Sequence, residues 1–291
     1  MGFMSAMKAN KAHRLQQAGN REEAIRLYEE AFAEGLNEPR FLLAYALLII
    51  RDGQYQKAKE FLVKHQKVPM QPGQRTELLV YYATCCFRLG NLDKGISVLE
   101  QQFRKTETGL LYQTLGYLYV EKYDRDHRPD FEAMKAEAEA AQAAESEDRP
   151  ADGEPQAEET AEAPAEEAAP ALSPEEEWNA GLEKAEEFIR NSVEYDDEDP
   201  VCLDNLGEFL YRARGDREAA KEWFDKAIAI KGSQIDTLYF LSRYDLDAGN
   251  RETALEKLEK AAEGRFSPLN YCSREKIQQE IDQLKGVPGN E

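Results

Sequence analysis

Residues 215–227, GDREAAKEWFDKA, and residues 249–261, GNRETALEKLEKA, carry the same pattern of small and large apolar side chains. In both segments an alanine follows the glycine by five positions. A large apolar residue comes four positions later, and a second alanine three positions after that. Residues at this spacing share one face of an α-helix, and glycine suits the tight turn before such a helix. The two segments therefore predict one helix–turn element, repeated 34 residues apart.

Three further copies of the element begin at Gly19, Gly53 and Gly90. Each has a small residue five positions after the glycine and a large apolar residue four positions later: Ala24 and Tyr28, Ala58 and Leu62, Gly95 and Leu99. A second helical pattern precedes the turn in each copy, so each unit is predicted to be a helix pair. An isolated pair cannot bury its apolar face, and neighbouring pairs are therefore expected to stack.

The first helices carry a motif that resembles the tetratricopeptide repeat (TPR) family. Leu115, Gly116 and Tyr119 match the family's Leu-Gly-x2-Tyr sequence, and Leu206 with Gly207 matches part of it again. The resemblance covers about residues 5–270, apart from one acidic segment. It implies an all-α fold, a right-handed α-solenoid of about six TPR-like helix pairs with a C-terminal capping helix.

The acidic segment interrupts the fourth unit. Residues 137–172 contain twelve Asp or Glu residues against one basic residue, whereas the whole chain has a net charge of −20. Such a composition is typical of disorder, although Glu132 to Ala144 has helical propensity. Ser173, Pro174 and Glu176 then form a capping box, which indicates the displaced second helix of unit four. The predicted divisions are 5–122 (units one to three and the first helix of unit four), 123–172 (largely disordered insert), 173–270 (remaining units), 271–285 (capping helix) and 286–291 (tail).

Composition and motifs exclude several classes of function. The acidic balance disfavours nucleic acid as a partner, and the longest apolar run is too short for membrane insertion. The four cysteines and three histidines show no metal-ligand spacing, and no phosphate-binding or nucleophile motif occurs. We therefore expect no catalytic residues, no metal site and no cofactor. The absence of a leader pattern and of paired cysteines favours a cytoplasmic protein.

The resemblance implies that the first helices line a concave groove that binds a protein or peptide. The predicted groove residues are Leu43, Leu47, Thr84, Gln113, Tyr117, Asp204, Glu208, Tyr239 and Arg243. Leu43, Leu47 and Tyr117 predict a mostly apolar stretch, which is typical of a binding site when it is exposed. Alternatively, chain from the N-terminus or from the insert covers this stretch.

Three arginines near the turns suggest a basic edge. Arg51, Arg88 and Arg212 each lie two or three residues before a turn glycine. They either complement the dipoles at the ends of their helices or form a positive strip onto which the acidic insert folds. The predicted function is a non-enzymatic interaction module or scaffold. A peptide-responsive sensor, a structural part of a larger assembly and an enzyme stay open as alternatives, and so does the oligomeric state.

Overall fold

The structure, a computed structural model, describes residues 3–147 and 172–286, and within them it contains fourteen α-helices and no strand. The helices are α1 (Phe3–Gln17), α2 (Arg21–Ala33), α3 (Pro39–Arg51), α4 (Tyr55–His65), α5 (Pro72–Arg88), α6 (Leu92–Phe103), α7 (Gly109–Tyr123), α8 (Phe131–Glu147), α9 (Pro174–Tyr195), α10 (Pro200–Glu208), α11 (Arg217–Ile230), α12 (Ile235–Asp247), α13 (Arg251–Ala262) and α14 (Arg274–Lys285).

The helices pack as six pairs, α1 with α2, α3 with α4, α5 with α6, α7 with α9, α10 with α11 and α12 with α13. Helix α14 packs on α13 and buries Ile277 and Ile281 at the end of the array. The predicted all-α solenoid with a capping helix is therefore confirmed. The predicted tail, residues 286–291, lies outside the described residues apart from Gly286.

The repeat pattern is explained by the turns and by the close approach of paired helices. The five glycines that define the repeats all have positive φ, between 73° and 84°, which an L side chain rarely adopts. The alanines five positions later, such as Ala24 and Ala220, are fully buried between the helices. In the third unit Gly95 takes this place, and an added Cβ would lie 3.0 Å from the carbonyl oxygen of Ala83.

The fourth unit is completed across the insertion, as the capping box at Ser173 indicates. The hydroxyl of Ser173 accepts a hydrogen bond from the Glu176 N–H and α9 begins there, packed against α7. The structure describes only part of the predicted insert, residues 123–172. Residues Arg125–His127 form a 3-10 turn and Phe131–Glu147 form α8, as the helical propensity of Glu132 to Ala144 indicated. Residues 148–171 lie outside the described residues.

Helix α10 continues into a π-helical segment, Phe209–Arg214, before the turn at Gly215. A π-helical turn accommodates one more residue than an α-helical turn. The fifth unit has such an additional residue, since Arg212 lies three positions before its glycine whereas Arg51 and Arg88 lie two before theirs. The π-helical segment therefore changes the angular position of Arg212 relative to those arginines.

Candidate functional site in the inner face

A cavity of about 420 Å³ lies where α7, α10 and α12 face the residues between α13 and α14. Its lining combines apolar side chains with amides and two carboxylates. The lining includes Val80, Leu110, Gln113, Asp204, Asn205 and Asp236. The first helices of units four, five and six thus meet at one site on the inner face of the solenoid.

The residues that join α13 to α14, 263–273, form the other wall of this cavity, and we refer to them as the 263–273 segment. Leu269 packs on the apolar cluster that contains Val80 and Tyr117. Asn270 Nδ2 donates to a carboxylate oxygen of Asp236 at 2.7 Å. Sequence periodicity does not reveal this segment because it is not helical. The sequence feature that could have indicated a packed segment here is the presence of apolar residues in a short loop that contains a proline.

Three of the predicted groove residues, Gln113, Tyr117 and Asp204, line the cavity together. The prediction of an exposed apolar stretch is wrong. Leu43 and Tyr117 are each only 5% exposed, and Leu47 is half-buried. Leu43 belongs to the core of the first units, and Tyr117 packs in the cluster that Leu269 covers. This part of the groove is covered by another part of the chain, as the alternative interpretation proposed. The covering residues are the 263–273 segment, however, and not the N-terminus or the insert.

The other predicted groove residues do not face the cavity. Thr84 is buried and its hydroxyl donates to the carbonyl oxygen of Val80 at 2.9 Å. The hydroxyl of Tyr239 donates to Glu280 at 3.2 Å, and Arg243 forms an ion pair with the same carboxylate. Helix α14 therefore occupies the groove positions of the last unit, and Glu208 is buried next to the cavity.

The predicted basic strip is not formed, because Arg212 is buried. Its side chain is 4% exposed, whereas Arg51 and Arg88 lie at exposed helix ends. The extra residue that the π-helical segment accommodates places Arg212 at a different angle from the other two arginines. With Arg212 absent from the surface, the hypothesis that the acidic insert folds onto a row of three arginines loses its geometric basis.

Arg212 instead joins three carboxylates in the interior. Its Nη2, Nε and Nη1 atoms donate to Glu121, Asp124 and Glu208, each at 2.8 Å. Its guanidinium carbon lies 4.1 Å from the centre of the Tyr271 ring, which belongs to the 263–273 segment. Charge-assisted hydrogen bonds thus link α10 to α7 and to the residue that follows it, and a cation–π contact links Arg212 to the 263–273 segment.

A second group of carboxylates, which we call the acidic cluster, comprises Asp204 and Glu208 of α10 and Asp236 of α12. One carboxylate oxygen of each residue lies within 4.8 Å of those of the other two, and all three side chains are buried. The Thr237 hydroxyl donates to Asp204, and the backbone N–H of Cys272 donates to Asp236 at 3.3 Å.

Burial raises the pKa values of the acidic cluster. Desolvation, with added repulsion from Asp236, raises the pKa of Asp204 to about 7. Desolvation also raises the pKa of Asp236 to about 6 and that of Glu208 well above its usual value. Sequence reasoning placed Asp204 and Glu208 in the groove but missed the cluster, because Asp236 lies 28 residues after Glu208. The available signal was a pair of acids one helical turn apart on a face that is otherwise apolar.

Two family models match parts of the chain. Residues 17–102 match the model for anaphase-promoting complex, cyclosome, subunit 3, and residues 201–231 match a tetratricopeptide-repeat model. Among curated protein sequences, none matches the chain. In the part of the chain that the structure describes, no helix has both the length and the apolar character needed to cross a bilayer.

Solved structures share the fold at low sequence identity. TTC0263, a thermophilic TPR protein from Thermus thermophilus, aligns with a TM-score of 0.54 and 16% identity over 85% of this chain and 99% of that chain. MamA from Desulfovibrio magneticus RS-1 aligns with a TM-score of 0.50 and 18% identity over 80% of this chain and 98% of that chain. The human IFIT1 dimer with m7Gppp-AAAA aligns with a TM-score of 0.52 and 16% identity over 90% of this chain and 48% of that chain.

The stacked helix pairs and the inner-face cavity define a helical-repeat protein of the α-solenoid class. Residues 201–231 match the tetratricopeptide-repeat model, and the array shares its fold with TPR proteins of known structure such as TTC0263.

Proposed function

We propose that the protein is a non-enzymatic interaction module or scaffold that binds a peptide or helix of a partner protein in the inner-face cavity. The observation that supports this most is the cavity itself, in which three first helices and the 263–273 segment enclose about 420 Å³. Ligand pockets usually have volumes of about 300–1,000 Å³. The cavity is therefore large enough for side chains of a partner segment.

The chemistry of the lining fits a peptide. Val80, Leu110 and Leu269 offer apolar contact, whereas Gln113 and Asn205 offer amide groups beside them. The Asn205 Nδ2 donates to the carbonyl oxygen of Gln113 at 2.9 Å, so the amide of Asn205 is held in place. Ligand pockets commonly combine apolar walls with a few positioned polar groups that fix the orientation of the ligand, and pockets for side chains give peptide sites their specificity.

A protein partner fits this cavity better than a nucleic acid. The IFIT1 structures contain m7Gppp-AAAA, but Asp204 and Asp236 line the present cavity and would oppose phosphates. Lys231 and Arg265 are the basic residues among its lining, and both side chains are exposed. The four cysteines are free and buried, which fits a reducing compartment, and we propose that the protein acts in the cytoplasm.

Leu110→Arg tests the proposal. Leu110 lines the cavity and is 40% exposed, so an arginine there obstructs the site while the longer side chain reaches solvent. Val63→Arg is the matched control, because Val63 is 44% exposed and lies outside the cavity lining. We expect partners captured by the intact protein from its native lysate to be retained by Val63→Arg and lost from Leu110→Arg. Retention of every partner by a folded Leu110→Arg protein would exclude binding in this cavity.

A further inference from the structure

The acidic cluster brings three carboxyl groups together around few positive groups. Asp204, Glu208 and Asp236 are 4%, 1% and 4% exposed, respectively. The buried cation next to them is Arg212, which also bonds Glu121 and Asp124. Lys231 acts on Asp204 from the cavity, but its side chain is exposed. Moving a carboxylate out of water costs several kcal/mol unless a positive group compensates it.

A further observation at this site is independent of the clustering. The Oε1 atom of Glu208 is buried and has no hydrogen-bond partner among the described residues, whereas Oε2 accepts from Arg212. Buried polar atoms are nearly always paired, so Oε1 of Glu208 is an acceptor that a ligand at this site can use. A carboxylate offers about four acceptor directions. The hydrogen bonds that Asp204 and Asp236 accept therefore leave room for a further bond to each.

Three converging carboxylates are ligands for a hard cation. Ca²⁺ binds oxygen at about 2.3–2.6 Å in irregular geometry, so oxygens on opposite sides of the ion lie about 5 Å apart. The separations of up to 4.8 Å in the acidic cluster fit within this span. Mg²⁺ has shorter bonds, of about 2.0–2.1 Å, and usually keeps several waters, for which this buried site is less suited.

We propose that Asp204, Glu208 and Asp236 bind one hard divalent cation, and that Ca²⁺ fits the site better than Mg²⁺. Asp204 and Asp236 line the inner-face cavity, which gives the ion a route from solvent. A bound ion joins α10 to α12. It also acts on the 263–273 segment, because Asn270 and the backbone of Cys272 bond to Asp236.

The test is a calorimetric titration of the full chain, freed of metal with a chelator, with CaCl₂ and separately with MgCl₂ at physiological salt. We expect one equivalent of Ca²⁺ to bind, and to bind at least about tenfold more tightly than Mg²⁺. Tb³⁺ gives a second measurement, because Tyr117 lines the same cavity as Asp204 and Asp236 and can sensitise the ion's luminescence.

The variants Glu208→Gln and, separately, Asp204→Asn keep the shape of the ligands and remove a charge. Each is expected to weaken Ca²⁺ binding by more than about tenfold. Asp93→Asn is the control, because that side chain is 82% exposed. A chain in which a six-residue Gly/Ser linker replaces residues 134–171 keeps the site and excludes binding by the acidic insert. Absence of saturable Ca²⁺ binding by the intact chain overturns the proposal. The proposal is also overturned if Glu208→Gln and Asp204→Asn both fold and bind Ca²⁺ with unchanged affinity, or if the chain without the insert no longer binds Ca²⁺.

Discussion

Arg212 is the side chain whose removal is expected to disturb the interior most. Arg212→Met keeps much of the aliphatic volume but leaves Glu121, Asp124 and Glu208 buried without their shared cation. Removing one partner of a buried ion pair typically costs about 3–5 kcal/mol. We expect the free energy of unfolding, measured by urea denaturation, to fall by about that amount.

Arg190→Met is the matched control for this prediction. Arg190 forms an ion pair with Glu186 one turn earlier on α9, and its side chain is 47% exposed. Exposed pairs of this kind contribute about 0.3–0.5 kcal/mol, so the control should be nearly as stable as the intact protein. Equal losses in the two variants would show that the buried network does not stabilise the fold.

The burial of these charged side chains could not be predicted from the sequence. The spacing of Asp204 and Glu208 places both on the inner side of α10, and inner-face positions in an open solenoid are solvated. Their burial follows from the 263–273 segment, which places Tyr271 over Arg212 and Asn270 against Asp236. That contact joins residues far apart in the chain, so no local pattern predicts it.

Among the helices, the close approach of α10 and α11 depends on the absence of a side chain at Gly207. A Cβ added there would lie 2.7 Å from two ring carbons of Phe224, which is fully buried. Because the ring cannot move into solvent, Gly207→Ala is expected to lower the free energy of unfolding by about 1–3 kcal/mol. Urea denaturation of the variant measures this loss.

Gly73→Ala, in contrast, is expected to raise the free energy of unfolding. Gly73 lies in α5, and an added Cβ there meets no atom within 4 Å. Alanine has the higher helix propensity, so the variant is expected to be stabilised by up to about 1 kcal/mol. A Gly207→Ala protein as stable as Gly73→Ala would mean that α10 and α11 are not packed as closely as described.

The helix pairs themselves were predictable because their signals are local. Gly19, Gly215 and their equivalents mark the turns, and the alanines that follow mark the packed faces. The π-helical segment was not predictable in the same way. The sequence shows one additional residue before Gly215, but a longer helix, a bulge or a longer turn could each absorb it.

For the molecule as a whole, the insertion is expected to be dispensable for folding. The side chains of α8 from Glu132 to Ala140 are exposed, and the connection is held at its base by the ion pair of Arg128 with Glu175. Replacing residues 134–171 with a six-residue Gly/Ser linker should therefore leave the helical circular dichroism of the units intact. The free energy of unfolding should be unchanged or about 1 kcal/mol higher, because a shorter loop costs less entropy to close.

A linker variant that also carries Arg128→Ala is the control, since it loses the ion pair at the base of the connection. It should differ from the linker variant by no more than about 1 kcal/mol, as expected for an exposed pair. Loss of cooperative unfolding in the linker variant alone would show instead that the insertion is part of the folded body.

The 263–273 segment changes how the repeats depend on one another. In an open array each unit contacts only its neighbours, and stability is close to a sum of unit and interface contributions. Here Leu269, which follows the sixth unit, packs on the cluster containing Val80 of the third unit and Tyr117 of the fourth. Fraying from the C-terminal end therefore removes a contact near the middle of the chain. The C-terminal end and the middle of the array are therefore energetically coupled, and the solenoid is expected to lose its structure in larger cooperative steps than a linear array of the same length.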